Sequence, residues 1–232
     1  MSVNVNTVYS RVLAILNKEQ RGFLTPQEFN LFANQAQMDL FEQYFYDINQ
    51  FSRIPGNSTE FSDMLNILNE KIAPFIKEST LSTFAGGALT RPADFYRLGN
   101  IRIGNVEAQR LNRNEYLVVN ASPLTTPSTA FPVFFEKEHG FVVYDGSTAK
   151  VSGVFIDYIK RPVTVQWGGV NVNGVPQYSS AETHSTNFEL HSSEETELVI
   201  KILELAGVLL KQLEVTQYAG QKEAQGVQQE KA

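Results

Sequence analysis

Apolar positions recur with the helical period at both ends of the chain and with the strand period between them. Val8, Val12, Ile15 and Leu16 share one stripe, which predicts a first helix over about residues 6–18 with a stop at Gly22. Thr25-Pro26-Gln27-Glu28 is a capping box with proline at the first helical position. Phe29, Phe32, Ala33, Ala36, Leu40, Phe41 and Tyr44 follow at helical spacing, so a second helix should reach about Asn49 before Pro55-Gly56 breaks it. Its aromatic stripe reads as a helix packing on helices, not as a face for stacking a ligand. Phe61, Leu65, Leu68 and Ile72 predict a third helix, opening at residue 58 or 59 and ending at Pro74.

From Phe75 the period changes to two. Residues 75–81 read as a strand, Gly86-Gly87 as a turn, and residues 92–98 as a turn leading into a short strand at 101–103. Gly104-Asn105 connects to a strand at 106–111, followed by a short helical turn at 112–117 and a proline- and threonine-rich loop at 122–132. A meander comes next, with strands at 133–136 and 141–144 turned at His139-Gly140 and Asp145-Gly146, and 151–159 closing the set. This last strand is the clearest in the chain: five of the six residues 154–159 are β-branched or aromatic, and Arg161-Pro162 stops it. Alternation puts Val154, Ile156 and Tyr158 on one face and Phe155, Asp157 and Ile159 on the other. Apolar groups on both faces predict a strand covered on both sides by helices or by another sheet.

Residues 168–187 form the longest irregular stretch, and 188–190 a short extended piece. Ser192-Ser193-Glu194-Glu195 reads as a second capping box. Leu198, Ile202, Leu205, Leu209 and Leu213 form one apolar line with a broad flank, which means burial on more than one side, and Gly207 permits a close crossing. The expected fold class is α+β. It has an N-terminal helical part (1–74), a mostly antiparallel β module (75–167), a long loop (168–187), a C-terminal helix (188–218) packed with the N-terminal helices, and a flexible Gln/Glu/Lys-rich tail (219–232), one domain overall.

Composition narrows the function classes. The 232 residues carry a net charge of −6, which argues against a basic-patch nucleic-acid binder. Cysteine is absent, excluding disulfides, thiolate metal sites and cysteine nucleophiles. Charged residues make up only 19%, while Asn, Gln, Ser and Thr abound, a polarity suited to a surface covered by neighbours. Neither a secretory signal nor a membrane span is visible, so a protein made in, and soluble in, a cytoplasm is expected.

Catalytic patterns are hard to find. His139, His184 and His191 stand apart from one another, with no HExxH and no i,i+4 pair, so no metal and no cofactor is expected. Glu194-Glu195 resembles a carboxylate pair, but acidic residues are favourable at a helix start for ordinary reasons. Asp94 reads as a turn former, and Asp157 as a strand residue neutralised by Lys160 or Arg161. No catalytic residue is assigned.

A family resemblance adds to this. Pro92-Ala93-Asp94-Phe95-Tyr96-Arg97-Leu98, Ile101-Arg102-Ile103, the meander, Asp157-Tyr158-Ile159-Lys160-Arg161-Pro162, and an acidic-start helix with Leu205-Ala206-Gly207 occur in that order. This order resembles the head-to-tail adaptor and tail-tube ring proteins of short-tailed phages. Asn17-Lys18-Glu19-Gln20-Arg21-Gly22-Phe23, Thr25-Pro26-Gln27-Glu28-Phe29-Asn30 and Gln35-Ala36-Gln37 look most like ring proteins of crAss-like phages. The resemblance spans about residues 7–215 and leaves the loop 168–187 unmatched. It implies a virion structural protein, not an enzyme, in the neck or tail. Copies, usually twelve, would form a ring beside the portal protein and adjacent tail or ring proteins, with genomic DNA passing through the lumen without tight binding. Partner contacts are expected in the polar, glycine-containing loop and tail, at Asn171, Asn173, Gly174, Tyr178, Gln221 and Gln225, ordering on assembly. Two other readings stand beside it. One is a different tail module binding a receptor or glycan, with Trp167 as its stacking platform; the other is a virion-associated hydrolase.

Overall fold

The computed structural model describes residues 2–18, 24–52, 63–146, 148–172, 175–179 and 184–209. The first three helices are α1 (Val5–Lys18), α2 (Pro26–Phe51) and α3 (Met64–Ile72). Six strands follow: β1 (Ile76–Leu81), β2 (Phe84–Ala85), β3 (Ala88–Thr90), β4 (Phe95–Ile103), β5 (Val106–Glu107) and β6 (Gln109–Arg110). Then come α4 (Arg113–Ala121), β7 (Val133–Lys137), β8 (Gly140–Tyr144), β9 (Val154–Lys160), β10 (Gly169–Val172), β11 (Val175–Tyr178) and α5 (Glu195–Leu209). The class is α+β, as the periodicity predicts. Two compact units emerge: Met1–Pro74 with Pro162–Ala232, and Phe75–Arg161. The β unit therefore ends at Arg161 and not at Trp167, and residues 162–167 belong with the helices.

In the helical unit, α5 packs against α1 and α2, and α2 also packs against α3. The predicted capping box of α2 is present: Glu28 N–H donates to Thr25 Oγ1 at 3.3 Å, and Thr25 N–H to Glu28 Oε2 at 2.9 Å. The Thr25 hydroxyl, donating to Glu28 Oε2 at 2.7 Å, and then the Thr25 N–H hold the Glu28 carboxyl below its ordinary pKa. Phe29, Ala33, Ala36, Leu40 and Phe41 are buried along one face of α2. The third helix begins later than the apolar spacing suggests, at Met64 behind the cap Asp63, whose Oδ1 accepts from Leu65 N–H at 3.1 Å. At α5 the predicted Ser192 cap is replaced: a single 3-10 turn, Ser192–Glu194, precedes the helix, and His191 Nδ1 accepts from Ser193 N–H at 3.3 Å. Residues 210–232, with the predicted end of this helix and the tail, lie outside the described residues.

The β unit is a two-sheet sandwich. One sheet has the order β1-β9-β4-β5 and the other β2-β3-β8-β7-β6. Leu81, Ile101, Val154 and Ile156 from the first meet Leu89, Phe134, Phe141 and Val143 from the second in one core. The second sheet is also covered on its outer face, where Tyr116 of α4 packs with Val133, Phe135 and Val142. That double cover explains why β7 and β8 read as unbroken apolar runs.

Three strand expectations change. The strand at 151–159 does not close a meander beside β8; β9 crosses to the other sheet and lies between β1 and β4. Its inner face, Val154, Ile156 and Tyr158, is buried as predicted, but the outer face of Phe155, Asp157 and Ile159 is only half-buried. There the Arg102 guanidinium lies 4.8 Å from the Phe155 ring centre and pairs with Glu78 and Asp157, so Asp157 is answered by Arg102, at 3.8 Å, and not by Lys160 or Arg161. The predicted turn at 92–98 is largely strand, since β4 runs from Phe95 with register shifts at Tyr96 and Gly99. These two bulges put Phe95, Leu98, Ile101 and Ile103 all on the core side, a spacing that hides a strand from a strict period of two. A Cβ at Gly99 would stand 2.7 Å from the Asp157 carbonyl oxygen, so the second bulge requires glycine. The predicted strand at 106–111 is a corner: β5 pairs with β4, Ala108 turns, and β6 pairs parallel with β7 in the other sheet.

Candidate interaction surfaces

The segment after β9 carries the molecule's most regular polar construction. Residues 163–167 run extended along α2 and are bound to it by side-chain amides. Asn30 and the Trp167 peptide exchange bonds of 2.7 and 3.1 Å, and Asn34 and Val165 exchange two of 2.8 Å. Gln37 Nε2 donates to Val163 O at 2.9 Å, while its Oε1 accepts from Glu189 N–H at 3.3 Å. The spacing is physically sensible. Two strand residues advance about 6.7 Å; the helix advances about 6.0 Å over four residues and about 4.5 Å over three. The amide that must reach farthest is the glutamine, with one more methylene. On its other edge Gln166 exchanges backbone bonds of 3.1 and 2.7 Å with Thr186. Three of the chain's abundant amides are thus spent inside the fold.

Trp167 closes this strap. It is 5% exposed, its ring centre lies 4.6 Å from Tyr9 and 5.9 Å from Tyr178, and Nε1 donates to Asn6 Oδ1 at 3.1 Å. The indole is therefore not a sugar-stacking platform, which removes the residue on which a glycan-binding reading depended. The stretch 168–187 is also not irregular throughout. β10 and β11 form an antiparallel hairpin whose base is tied by Ser185 Oγ, donating to Ser179 O at 2.6 Å and accepting from Gly168 N–H at 3.1 Å. Of the predicted contact residues, Asn171 sits in β10 opposite Pro176, and Tyr178 ends β11, half-buried on Trp167. Asn173, Gly174, Gln221 and Gln225 lie outside the described residues.

The polar clusters build structure. Asp94 joins two strands of one sheet: Oδ2 meets Lys77 Nζ at 2.8 Å, and Oδ1 accepts from the buried Tyr158 hydroxyl at 2.7 Å. The Lys77 bond holds the Asp94 carboxyl below its usual value, and the same bond raises Lys77. Burial, then the Asp94 bond, raises Tyr158. Every shift moves away from pH 7, so Asp94 stays an anion, Lys77 a cation and Tyr158 a neutral phenol there, and the trio is not poised for proton transfer. Glu194, 2% exposed, pairs with Lys71 of α3 at 2.9 Å and accepts from Ser193 Oγ at 2.9 Å; Glu195 meets Arg11 of α1 at 2.8 Å. The two carboxylates that look like a site in the sequence brace α5 to two different helices. Among the described residues no three His, Asp or Glu side chains gather to hold a metal ion, and no helix is long and apolar enough to cross a membrane.

Exposed apolar side chains mark the remaining surface. Leu31 and Tyr46 stand out from α2 of the helical unit. In the β unit, Leu117 and Val118 on α4, then Leu124 and Phe131 in the following loop, are exposed by 61, 73, 97 and 78%. A helix start at Asn112, whose N–H donates to Glu115 Oε2 at 2.7 Å, carries α4 to Ala121, four residues beyond the short turn that the sequence suggests. Arg97 and Arg102 lie on β4, Arg110 pairs with Glu136 at 2.8 Å, and Arg113 opens α4, so they form no single basic face. No protein-family model and no curated protein matches this chain.

Proposed function

We propose that the protein is a virion structural component of a tailed phage, a ring subunit in the portal-proximal neck or tail that connects capsid to tail and continues the DNA channel. The observation that carries this reading is that both units expose large apolar side chains, Leu31 and Tyr46 in one and Leu117, Val118, Leu124 and Phe131 in the other. A ring closes through heterologous contacts, in which one patch meets a different patch on the next copy, so its subunit needs more than one contact surface. Clustered exposed apolar groups mark such surfaces. The ordered resemblance around residues 92–103 and 157–162 supplies the class of assembly, with the portal protein and neighbouring tail or ring proteins as partners. The net charge of −6 suits a channel through which duplex slides. Mass spectrometry and electron microscopy of purified particles test the proposal: the protein should be present as a ring at the portal vertex, and its absence from mature particles would refute it. Bare duplex should not bind the isolated protein at physiological salt. Salt-sensitive binding tighter than about 10 μM would contradict the sliding-channel role.

A further inference from the structure

The stretch from Tyr116 to Phe135 contains no Asp, Glu, Lys or Arg in twenty residues, yet ten of those positions are exposed. An exposed stretch of that length without a charge is unusual, because solvent-facing surface normally carries about a quarter charged residues. The apolar positions on α4 also follow a pattern. Leu117, Val118 and Ala121 fall at i, i+1 and i+4, the stripe that helices turn toward a neighbour, while Tyr116 is the helix's buried residue. Tyr116 stacks on Tyr144 at 4.4 Å between ring centres, so the helix is anchored from below while its stripe faces outward. The loop beyond is held in shape by its own bonds: Thr125 Oγ1 donates to Val119 O at 2.7 Å, and Thr126 Oγ1 to Ser122 O at 2.8 Å. Leu124 and Phe131 are therefore displayed by an ordered segment.

The geometry points to this face, α4 and the loop to Phe131, as the surface that a second copy of the same chain covers; this rests on the ring reading above. Two quantities favour a copy of the chain over a transient partner. A fully exposed Leu or Val side chain presents roughly 60–120 Å² and a Phe roughly 150–250 Å², so the four residues at their observed exposures offer roughly 250–470 Å² of apolar area. One partner of a standard-size homodimeric interface contributes about 800 Å², some 65% of it apolar, so these four side chains, covered together by a copy, supply about half or more of that share. Charge depletion is also the compositional mark of an interface core, and homo-oligomeric interfaces are the more apolar class.

The test uses the full-length protein. Sedimentation of the wild type up to about 100 μM should show self-association, and the double variant Leu117→Glu/Val118→Glu should weaken it by roughly a hundredfold or more. Both positions are exposed, so circular dichroism should be unchanged. If the double variant loses structure, Leu124→Glu, in the loop outside the helix, carries the same expectation. A benzophenone side chain at position 124 should cross-link to a second copy and double the mass. A wild type that stays monomeric, a Leu124→Glu variant that associates like wild type, or a cross-link confined within one chain overturns the inference. Those results would leave the ring reading standing on other surfaces, whereas absence from particles would sink the ring reading without touching the self-association measurement.

Discussion

Replacing Asn34 with alanine is the sharpest probe of how the helical unit holds its strap. The amide gives Val165 both of its partners on that side, accepting from its N–H and donating to its carbonyl at 2.8 Å each. Val165 is 1% exposed, so water does not readily take over either group. Two lost bonds, each leaving a buried backbone group unsatisfied, should cost roughly 2–4 kcal/mol. Alanine returns about 0.5 kcal/mol as the better helix former, which leaves a net loss of roughly 2–3 kcal/mol. For a chain of this size that corresponds to a fall of roughly 5–10 °C in Tm. The chain has a single tryptophan, Trp167, two residues along the strap, so its fluorescence follows the helical unit directly. Chemical denaturation read at Trp167 should shift its midpoint at constant slope, and the Val165 amide should lose hydrogen-exchange protection. The variants Asn30→Ala and Asn34→Ala should be non-additive because they release the same strap. A loss below about 0.5 kcal/mol with Val165 protection unchanged would refute the view that these amides hold the segment.

Three further outcomes are expected. Gly140→Ala should destabilise the β unit by more than about 3 kcal/mol, because its Cβ would stand 1.8 Å from the Leu89 carbonyl oxygen across the β3–β8 pair; near-UV circular dichroism on heating reads it. Lys71→Met leaves Glu194 buried without its cation and should cost roughly 3 kcal/mol, while Lys71→Met/Glu194→Gln should recover more than half of it in urea denaturation. Burial, helped by the adjacent Tyr144 hydroxyl, pushes the Tyr116 hydroxyl up to about 12. A raised value means that the native state holds this proton more tightly, so its contribution is intact below about pH 10 and is lost as pH climbs toward 12, by up to roughly 3 kcal/mol. Alkaline unfolding should accordingly move to higher pH in Tyr116→Phe, and an unchanged midpoint would contradict the assignment.

What the sequence decides by itself is whatever depends on neighbours within a few residues. The capping box at Thr25 needs only Glu28 three positions away, and it is present bond for bond. Leu198 and Ile202 on the apolar line of α5 and the alternation of Val154, Ile156 and Tyr158 reflect helix and strand geometry alone, and those side chains are buried as their spacing requires. The α+β class follows from these periods. The bulges of β4 mask its length because each inserts one residue and shifts the alternation, and only contact with β9 requires them.

Partner choice across the fold belongs to the tertiary structure. Nothing local distinguishes the pairing of β9 with β1 and β4 from a meander beside β8, since both arrangements bury the same face. Asp157 has two cations in the next four residues, yet its partner is Arg102, because Lys160, three positions on, falls on the opposite face of the strand and Arg161 lies beyond the strand's end, whereas the neighbouring strand β4 brings Arg102 alongside. Asn30, Asn34 and Gln37 look like solvated surface in the sequence. They become a ladder only when residues 163–167 lie against them, some 130 positions away in the chain. The uncharged stretch from Tyr116 to Phe135 is legible as composition. Burial divides it: the strand residues Val133, Phe134 and Phe135 go to the core, Tyr116 is the α4 side chain that packs on the sheet, and Leu117, Val118, Leu124 and Phe131 stay exposed.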